Sequence, residues 1–356
     1  MPPDPFDEIH ITTLHATRGP NYWSRRSVTR LDLSVGAYDE ISSAQVPGVA
    51  ESLLRAMPGL IEHRCSIGER GGFILRLQRG TYVPHIIEHV ALELQAMIGH
   101  DVVYGRTRGG DAAGEYTLIF EHHHEQVGLR AAGLALETVQ RAFAGGLDSV
   151  EHAVAELAAL AQVLDTPPLH QEVLCGITGG SHRAETRAEL GRHGLGSEEL
   201  IIDVAPGYLL RQGVPYSRSE IAIVLDATLT DVPPRYREPE RARQLVSVLA
   251  DAVMPDGIVI APAREWEVQD LARDAGCRVA VFASNGDITE RDRKVARASA
   301  WVAGGRICAE HADARLDLGA VRDDAAVTAQ VAAALAVFTL SELHPRAVAA
   351  ANVPGA

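Results

Sequence analysis

The sequence has 356 residues, of which 46% are hydrophobic and 22% are charged, and its formal net charge is −14. This length predicts two domains, and the composition is that of an ordinary soluble globular protein. The negative charge argues against a nucleic-acid-binding protein, which needs a basic surface to contact phosphates. No run of about 18 apolar residues is present, so we expect no membrane-spanning helix.

The first eight residues are acidic and rich in proline, and they lack the basic head and apolar run of a signal peptide. The cysteines are scattered and form no C-x-x-C pair, which favours reduced thiols over a disulfide framework. We therefore expect a cytoplasmic protein. The four positions are Cys65, Cys175, Cys277 and Cys308.

The first part of the chain mixes short strands with longer helices and predicts an α+β domain over residues 1–166. The helix at 82–98 has the clearest signals, with Thr81 as its cap, Pro84 in its first turn and Gly99 at its end. A glycine-rich loop precedes it at 65–72. The predicted strands are 9–13, 30–33 and 116–121, and the other predicted helices are 49–57, 125–143 and 150–164.

The second part alternates apolar runs of strand length with helical stretches. This alternation predicts a doubly wound, mostly parallel α/β domain over residues 173–345. The proline pair at 167–168 marks a linker over 167–172, and residues 346–356 read as a flexible tail. The predicted strands are 173–178, 200–204, 221–225, 257–261 and 278–282.

The predicted helix at 82–98 contains an H-x-x-E-H motif formed by His85, Glu88 and His89. Residues four apart lie one turn apart on a helix, so both imidazoles share one face. Two such imidazoles can bind one Zn²⁺, and the neighbouring carboxylate can take a proton from water. The apolar residues of this helix form the opposite stripe, so we expect the three ionisable groups to point away from the core.

A catalytic zinc normally has a third protein ligand. The first candidate is Glu121, at the end of the strand before three consecutive histidines, and the alternatives are Cys65 and His63. The sequence does not choose among them. A motif with two histidines can also arise by chance in a chain with 15 histidines, and residues 122–124 fit a solvated loop equally well.

A second motif follows the predicted strand at 173–178, where a phosphate-binding loop would lie. Such a loop needs a lysine for the phosphates and a Ser or Thr for Mg²⁺. Here Arg183 and Ala184 take those positions, and His182 stands where a glycine is expected. The only lysine of the sequence is Lys294. A plain strand-to-helix turn without nucleotide is therefore favoured, and ATP is not expected as a cofactor.

Residues from about 9 to 145 resemble the amino-terminal domain of cyanophycin synthetase. The resemblance rests on many segments, among them residues 18–24, 62–66, 70–73, 85–95 and 105–108. It implies a domain that binds the Asp/Arg polymer cyanophycin, and in some members a metallopeptidase-like site that cuts it. The H-x-x-E-H motif carries over residue by residue onto His85, Glu88 and His89.

Residues 173 to about 340 look like a shortened Mur-ligase-like central domain. In that comparison Asp203 stands at the position of a metal-binding Glu, and Pro206 at the position of an Arg. The ATP-grasp domain of cyanophycin synthetase and the third Mur domain have no counterpart here. The resemblance therefore implies a ligase-derived domain that does not use ATP.

The first functional hypothesis is a metal-dependent hydrolase of cyanophycin or a related isopeptide-bearing polymer. Zn²⁺ would be held by His85, His89 and Glu121, and Glu88 would act as the general base. Three arginines could hold substrate carboxylates, although a surface role is as plausible for them; they are Arg70, Arg106 and Arg108.

Two alternatives remain at this point. The chain could be a non-catalytic protein that binds the polymer or a full-length synthetase and regulates it, as a homo-oligomer or in a mixed assembly. It could also be an ATP-dependent acid–amino acid ligase, which ranks last because the phosphate-binding residues are missing. Neither alternative involves nucleic acid or a membrane.

Overall fold

The computed structural model describes residues 2–164, 172–195, 200–285, 288–312 and 314–343. The chain forms two compact units, one made of residues 1–18 and 26–168 and the other of residues 19–25 and 169–356. Residues 167–171 of the expected linker and the whole expected tail at 346–356 lie outside the described residues. The short segment Gly19–Arg25 groups with the second unit, although the sequence placed it in the first domain.

The first unit has the predicted strands and helices, together with elements that the sequence did not reveal. The short strand at 105–109 begins and ends with glycine and carries two arginines, so it lacks the apolar alternation of a typical strand. The strands are β1 (His10–Thr17), β2 (Val28–Ser34), β3 (Gly105–Gly109) and β4 (Glu115–Glu121). The helices are α1 (Pro5–Glu8), α2 (Val49–Ala56), α3 (Gly72–Arg79), α4 (Val83–Met97), α5 (Glu125–Phe143) and α6 (Glu151–Val163).

The strands of the first unit form an antiparallel sheet in the order β1-β2-β4-β3, so β3 lies at one edge. Alternate side chains of a strand point to opposite faces. Leu31 and Leu33 on β2, with Leu118 and Phe120 on β4, are buried in the hydrophobic core. The central helices α4 and α5 pack on this apolar face.

The other face of the same sheet carries a row of polar side chains. Asp32 on β2 accepts hydrogen bonds from the hydroxyls of Thr13 on β1 and Thr117 on β4, each at 2.6 Å. Both threonines lie opposite Asp32 in the strand register, as cross-strand neighbours on one face do. Arg108 on β3 lies opposite Thr117 and therefore belongs to this polar face.

The second unit confirms the expected mostly parallel sheet, in the order β12-β11-β10-β9-β8-β7-β5-β6. Strands β5 to β10 pair in parallel, and β11 and β12 add antiparallel pairs. The strands are β5 (Glu172–Thr178), β6 (Ile201–Asp203), β7 (Arg218–Val224), β8 (Val253–Pro262), β9 (Arg278–Ala283), β10 (Ala298–Ala303), β11 (Arg306–His311) and β12 (Ala314–Ala320). The helices are α7 (Arg183–Arg192), α8 (Pro206–Gln212), α9 (Pro239–Ser247), α10 (Trp266–Asp274), α11 (Glu290–Val295) and α12 (Val327–Leu343).

The last three strands were not predicted, although a local signal for them exists. Gly304 and Gly305 join β10 to β11, and both have positive φ angles, of 55° and 72°. A two-residue Gly-Gly connection is typical of a tight β-hairpin because its turn needs positive φ at both positions. The glycine pair was therefore the sequence feature that could have revealed this hairpin.

Both faces of the second sheet are covered by helices, which confirms the doubly wound architecture. On β7, Ile223 packs in a core with residues of α7 and α12, and its neighbour Val224 packs in a separate core with α8, α9 and α10. The window Asp324–Ser341 is long and apolar enough to cross a membrane by composition, but 61% of it is buried inside the protein. That burial is typical of a core helix.

A glycine in α5 allows a close contact between that helix and the sheet. An added Cβ at Gly128 would lie 2.3 Å from Oγ1 of Thr29 and 2.6 Å from Cβ of His122. Gly133 lies on the same helix, and an added Cβ there would lie 3.4 Å from Nη1 of Arg130, which is an ordinary contact with the far end of a long side chain.

We therefore expect Gly128→Ala to lower the free energy of unfolding of the first unit by about 1–3 kcal/mol, because the added methyl overpacks the contact. The matched change Gly133→Ala should raise it by about 0.5–1 kcal/mol through the better helix propensity of alanine. Urea denaturation measures both. Equal effects of the two variants would contradict the close contact at Gly128.

The buried His122 gives the first unit a pH-dependent stability. Its Nδ1 lies 3.0 Å from the Thr29 hydroxyl, and burial, with the nearby His124 and His123, lowers its pKa from 6.5 to about 4. Between these values the unfolded chain binds a proton that the folded chain does not. Stability therefore falls as the pH drops from 6.5 towards 4, with a slope of up to about 1.4 kcal/mol per pH unit from this residue.

We expect His122→Asn to reduce this pH dependence, because asparagine can keep the contact to Thr29 but does not titrate. The measurement is amide hydrogen exchange in α5 at pH 7 and pH 5, corrected for intrinsic rates. An unchanged pH dependence in the variant would show that His122 is not the titrating group.

Candidate metal centre in the first unit

Helix α4 positions the H-x-x-E-H residues. Pro84 lies in its first turn, where the missing N–H costs nothing, and Gly99 follows its end at a φ of 87°. Thr81 is not its cap as expected, because the N-cap residue is Tyr82. The Thr81 hydroxyl lies instead 2.8 Å from Nδ1 of His85. Thr81 therefore orients this imidazole.

The polar face of α4 is buried, contrary to the expectation that it points away from the core. Glu88 and His89 are each 5% exposed, and Glu93, one turn further on, is 6% exposed. The covering group is the side chain of Phe73 on α3, whose ring stacks on His89 with a centroid separation of 3.9 Å. The sequence did not reveal α3, so it gave no sign of this cover.

Three side chains bring metal-binding atoms together at this face. Donor atoms of Cys65, His85 and His89 all lie within 4.8 Å of one another, and Cys65 Sγ is 3.2 Å from Nε2 of His85. A tetrahedral zinc has bonds of about 2.0–2.3 Å, so its donor atoms lie roughly 3.3–3.8 Å apart. Catalytic zinc sites have three protein ligands, which can combine thiolates and imidazoles, and they leave a fourth position open for water or substrate. The residues therefore fit Zn²⁺.

Both histidines are in the neutral form that a metal needs. Burial, followed by the cation of Arg76, lowers the pKa of His85 to about 4. Burial, with further contributions from His85, His63 and Arg76, lowers the pKa of His89 to about 2. A neutral His85 that donates from Nδ1 to Thr81 leaves Nε2, the atom nearest Cys65, free to bind a metal.

A second layer of polar groups supports His89. Its Nδ1 lies 2.8 Å from Nδ1 of His63, and Nε2 of His63 lies 3.0 Å from the carboxylate of Glu93. When Nδ1 of His89 donates to Nδ1 of His63, and Nε2 of His63 donates to Glu93, every hydrogen bond of this chain has a donor and an acceptor. Nε2 of His89 then remains available to a metal. Partners of this kind fix the orientation of metal-binding histidines. His63, an alternative ligand in the sequence analysis, lies here as a support for His89.

Glu88 is a buried carboxylate beside this group. Burial raises its pKa to about 7, while a 2.5 Å hydrogen bond from the Thr107 hydroxyl to its Oε2 acts in the opposite direction. Gly105 packs against the same side chain, since an added Cβ there would lie 2.7 Å from Oε1. A carboxyl with a pKa near neutrality is suited to accept and return a proton.

These residues line one cleft of about 1030 Å³, which is large enough for a peptide segment. Its walls come from α4, from the turn at Cys65–Ile67 and from β3. Cys65 has an unusual left-handed backbone, with a φ of 54°. This conformation is uncommon for a residue with a side chain and is often found where a structure fixes a functional group.

Glu121, the first candidate for the third ligand, lies elsewhere. Its Oε2 accepts hydrogen bonds from the backbone N–H groups of Val103 and Tyr104, at 2.9 and 3.1 Å, and its Oε1 accepts one from Arg26. It does not line the cleft and is not part of the donor group. The structure therefore places Cys65, and not Glu121, beside the two histidines. A buried carboxylate satisfied by backbone N–H groups has a structural role.

The three arginines proposed to hold substrate occupy different places. Arg106 lines the cleft, Arg108 is exposed further along β3, and Arg70 pairs on the surface with Glu62 at 2.5 Å. The sequence did not single out Arg76, which lines the cleft and donates a 2.7 Å hydrogen bond to Ser66. Its guanidinium also lies 3.9 Å from Cys65 Sγ.

In the broken phosphate loop of the second unit, backbone N–H groups of the loop already donate hydrogen bonds to a carboxylate of the protein. The carboxylate of Asp226 accepts hydrogen bonds from the backbone N–H groups of Gly180 and Ser181, both at 3.0 Å, and from the Ser181 hydroxyl at 2.7 Å. These are the kind of donors that hold a phosphate in a working loop. Arg183, in the lysine position, bonds the carbonyl of Gly179, and the carboxylate of Asp203 pairs with Arg187 at 3.2 Å.

We expect Cys65→Ser, His85→Gln and His89→Gln each to weaken zinc binding at least about tenfold, because each removes one ligand. Glu121→Gln should bind zinc as the unchanged protein does. Competition with a chromogenic chelator measures the affinity, and Co²⁺ substitution tests for a thiolate charge-transfer band.

Cys308→Ser is the matched control for the cysteine change, since Cys308 is a free cysteine of the second unit. Normal zinc binding by Cys65→Ser together with loss of zinc in Glu121→Gln would contradict this ligand set.

Fold and site define the first unit as an α+β domain with a histidine–carboxylate cleft. Residues 30–144 match the family of cyanophycin synthase-like amino-terminal domains. Cyanophycin synthetase of Synechocystis sp. is 45% identical over 144 residues, or 39% of this chain and 16% of that protein. The enzyme of Geminocystis herdmanii is 40% identical over 157 residues, or 43% of this chain and 18% of that protein. Residues 30–144 of the first unit are therefore similar to cyanophycin synthase-like amino-terminal domains, and the chain spans less than a fifth of the length of these relatives.

Solved structures that resemble the chain include Mur ligases. The MurF ligase of Thermotoga maritima in complex with ADP is 12% identical, with a TM-score of 0.35 over 49% of this chain and 46% of that one. MurF of Acinetobacter baumannii is 11% identical, with a TM-score of 0.33 over 52% of this chain and 47% of that one. These values are too low to support a conclusion, so the α/β class of the second unit rests on its own strand order.

Proposed function

We propose that the first unit is a zinc-dependent amide hydrolase that acts on cyanophycin or a related Asp/Arg polymer. The observation that carries the proposal is the donor group of Cys65, His85 and His89 beside the buried Glu88 in one open cleft. The choice of polymer rests on the relatives, which are named cyanophycin synthetases. The free cysteines suit a reducing compartment, and we infer a cytoplasmic location.

Zinc, when bound, would polarise the amide carbonyl and acidify a water molecule. Glu88 would take a proton from a water molecule in the cleft through Oε1, since Thr107 donates to Oε2 and holds the carboxylate in place. The C–O bond forms, the C–N bond breaks, and the proton passes from Glu88 to the leaving amine. The products are one carboxylate and one amine for each water consumed.

We infer no ligase activity for the second unit. Asp226 occupies the backbone donors of the phosphate loop, and the lysine position is an arginine that bonds its own loop. Both features argue against ATP as a cofactor. Mg²⁺-dependent ATP hydrolysis that requires Asp or Arg would favour the ligase alternative instead.

Glu88→Gln should retain zinc and lose cleavage by at least about a hundredfold, because general-base catalysis typically contributes 10²–10⁴-fold. The amide can still accept the hydrogen bond from Thr107, so the fold is expected to persist. Zinc content and cleavage of cyanophycin by mass spectrometry are measured on the same sample.

Glu62→Gln is the matched control, because Glu62 is an exposed carboxylate at the cleft that pairs with Arg70. It should cut nearly as fast as the unchanged protein. Cleavage by Glu88→Gln at the normal rate would show that Glu88 is not the base.

A further inference from the structure

The edge strand β3 has one side without a neighbouring strand. Glu121 N–H bonds the carbonyl of Tyr104, and Gly110 N–H bonds the carbonyl of Glu115, which fixes the residues that face β4. In an antiparallel pair, successive residues direct their backbone N–H and C=O groups alternately towards the partner strand and away from it. The backbone groups of Arg106 therefore point towards β4, and those of Thr107 point to the open side. The outward N–H and C=O groups belong to Gly105, Thr107 and Gly109. Within the described residues no protein group bonds them.

The open edge of β3 runs along the proposed active site. Gly105 and Thr107 line the same cleft as His85 and His89. The Thr107 side chain bonds Glu88 from the face of the strand that packs on α4, while its backbone points to the open edge. A chain that pairs with Thr107 would therefore pass beside Glu88.

Two cations lie on the other face of this strand. Arg106 and Arg108 are both exposed, and neither has an acidic partner among the described residues. They are two residues apart, so their side chains share the polar face of the sheet. On a strand added to this edge, every second side chain would lie next to them.

We propose that the open edge of β3 binds an extended acidic peptide as an added strand. Acidic side chains at every second residue of the peptide face Arg106 and Arg108. The backbone of the peptide forms hydrogen bonds with the outward N–H and C=O groups of Gly105, Thr107 and Gly109. The bond presented to Cys65, His85 and His89 is then an amide of the extended backbone and not one on a side chain. This inference rests on the proposed hydrolase function and names the bond that the same site cuts.

The test measures binding separately from cleavage. Zinc-loaded Glu88→Gln protein is titrated into fluorescein-labelled hexa-L-aspartate, and fluorescence anisotropy reports binding. Charge reversal by Arg106→Glu or Arg108→Glu should weaken binding about threefold to tenfold. The matched control is Arg79→Glu, because Arg79 is exposed at the end of α3 and does not line the cleft. Hexa-L-asparagine, which has the same shape without charge, should bind less tightly.

Backbone pairing is tested with two doubly N-methylated hexamers. Methyl groups on the amides of residues 3 and 5 leave the other edge of the peptide intact, and we expect only a small loss of binding. Methyl groups on residues 3 and 4 block both edges and should weaken binding at least about tenfold. The two peptides carry the same number of methyl groups, so a difference in their binding reports only whether one edge of the peptide is blocked or both.

The outcomes separate this inference from the proposed function. Equal binding of the two methylated peptides, or equal effects of the three arginine changes, would overturn the added strand even if the protein cuts cyanophycin. Failure of hexa-aspartate to bind would also overturn it. The expected pattern of binding without any cleavage by the unchanged protein would support the added strand and contradict the hydrolase.

Discussion

The burial of the polar face of α4 is the constraint on which the rest of the first unit depends. A buried ionisable group must be neutral or have a partner, since an unpaired buried charge is very costly. Here the imidazoles of His85 and His89 are neutral, and Glu88 is held by Thr107. Each of these three side chains also keeps one atom that can contact a ligand, namely Nε2 of each histidine and Oε1 of Glu88.

The same constraint explains the layers around the helix. α3 covers the face with Phe73, the turn at Cys65–Ile67 brings a thiol to the imidazoles, and β3 supports Glu88. Behind His89, the pair of His63 and Glu93 completes the hydrogen bonds. A purely structural helix would satisfy its buried positions with apolar side chains, so this arrangement favours a functional site.

Much of the fold could be predicted from periodicity and from glycine and proline. The spacing of His85, Glu88 and His89 placed them on one helical face, and that expectation is confirmed. Their burial could not be predicted, because it depends on α3, which is only 8 residues long, and on β3, which lacks the apolar alternation of a typical strand. The sequence made Glu121 the first candidate for the third ligand and Cys65 an alternative. The fold reverses this order, because the turn at Cys65–Ile67 brings the thiol to His85, whereas Glu121 at the end of β4 bonds backbone N–H groups elsewhere.

Metal-dependent cleavage of an Asp/Arg polymer by the first unit is the proposal that joins these features. Its most direct test is incubation of the metal-replete protein with cyanophycin, with and without a chelator, with product lengths followed by mass spectrometry. We expect shorter chains, which disappear when chelator is added and return when Zn²⁺ is restored. Intact polymer in the presence of stoichiometric zinc would contradict it.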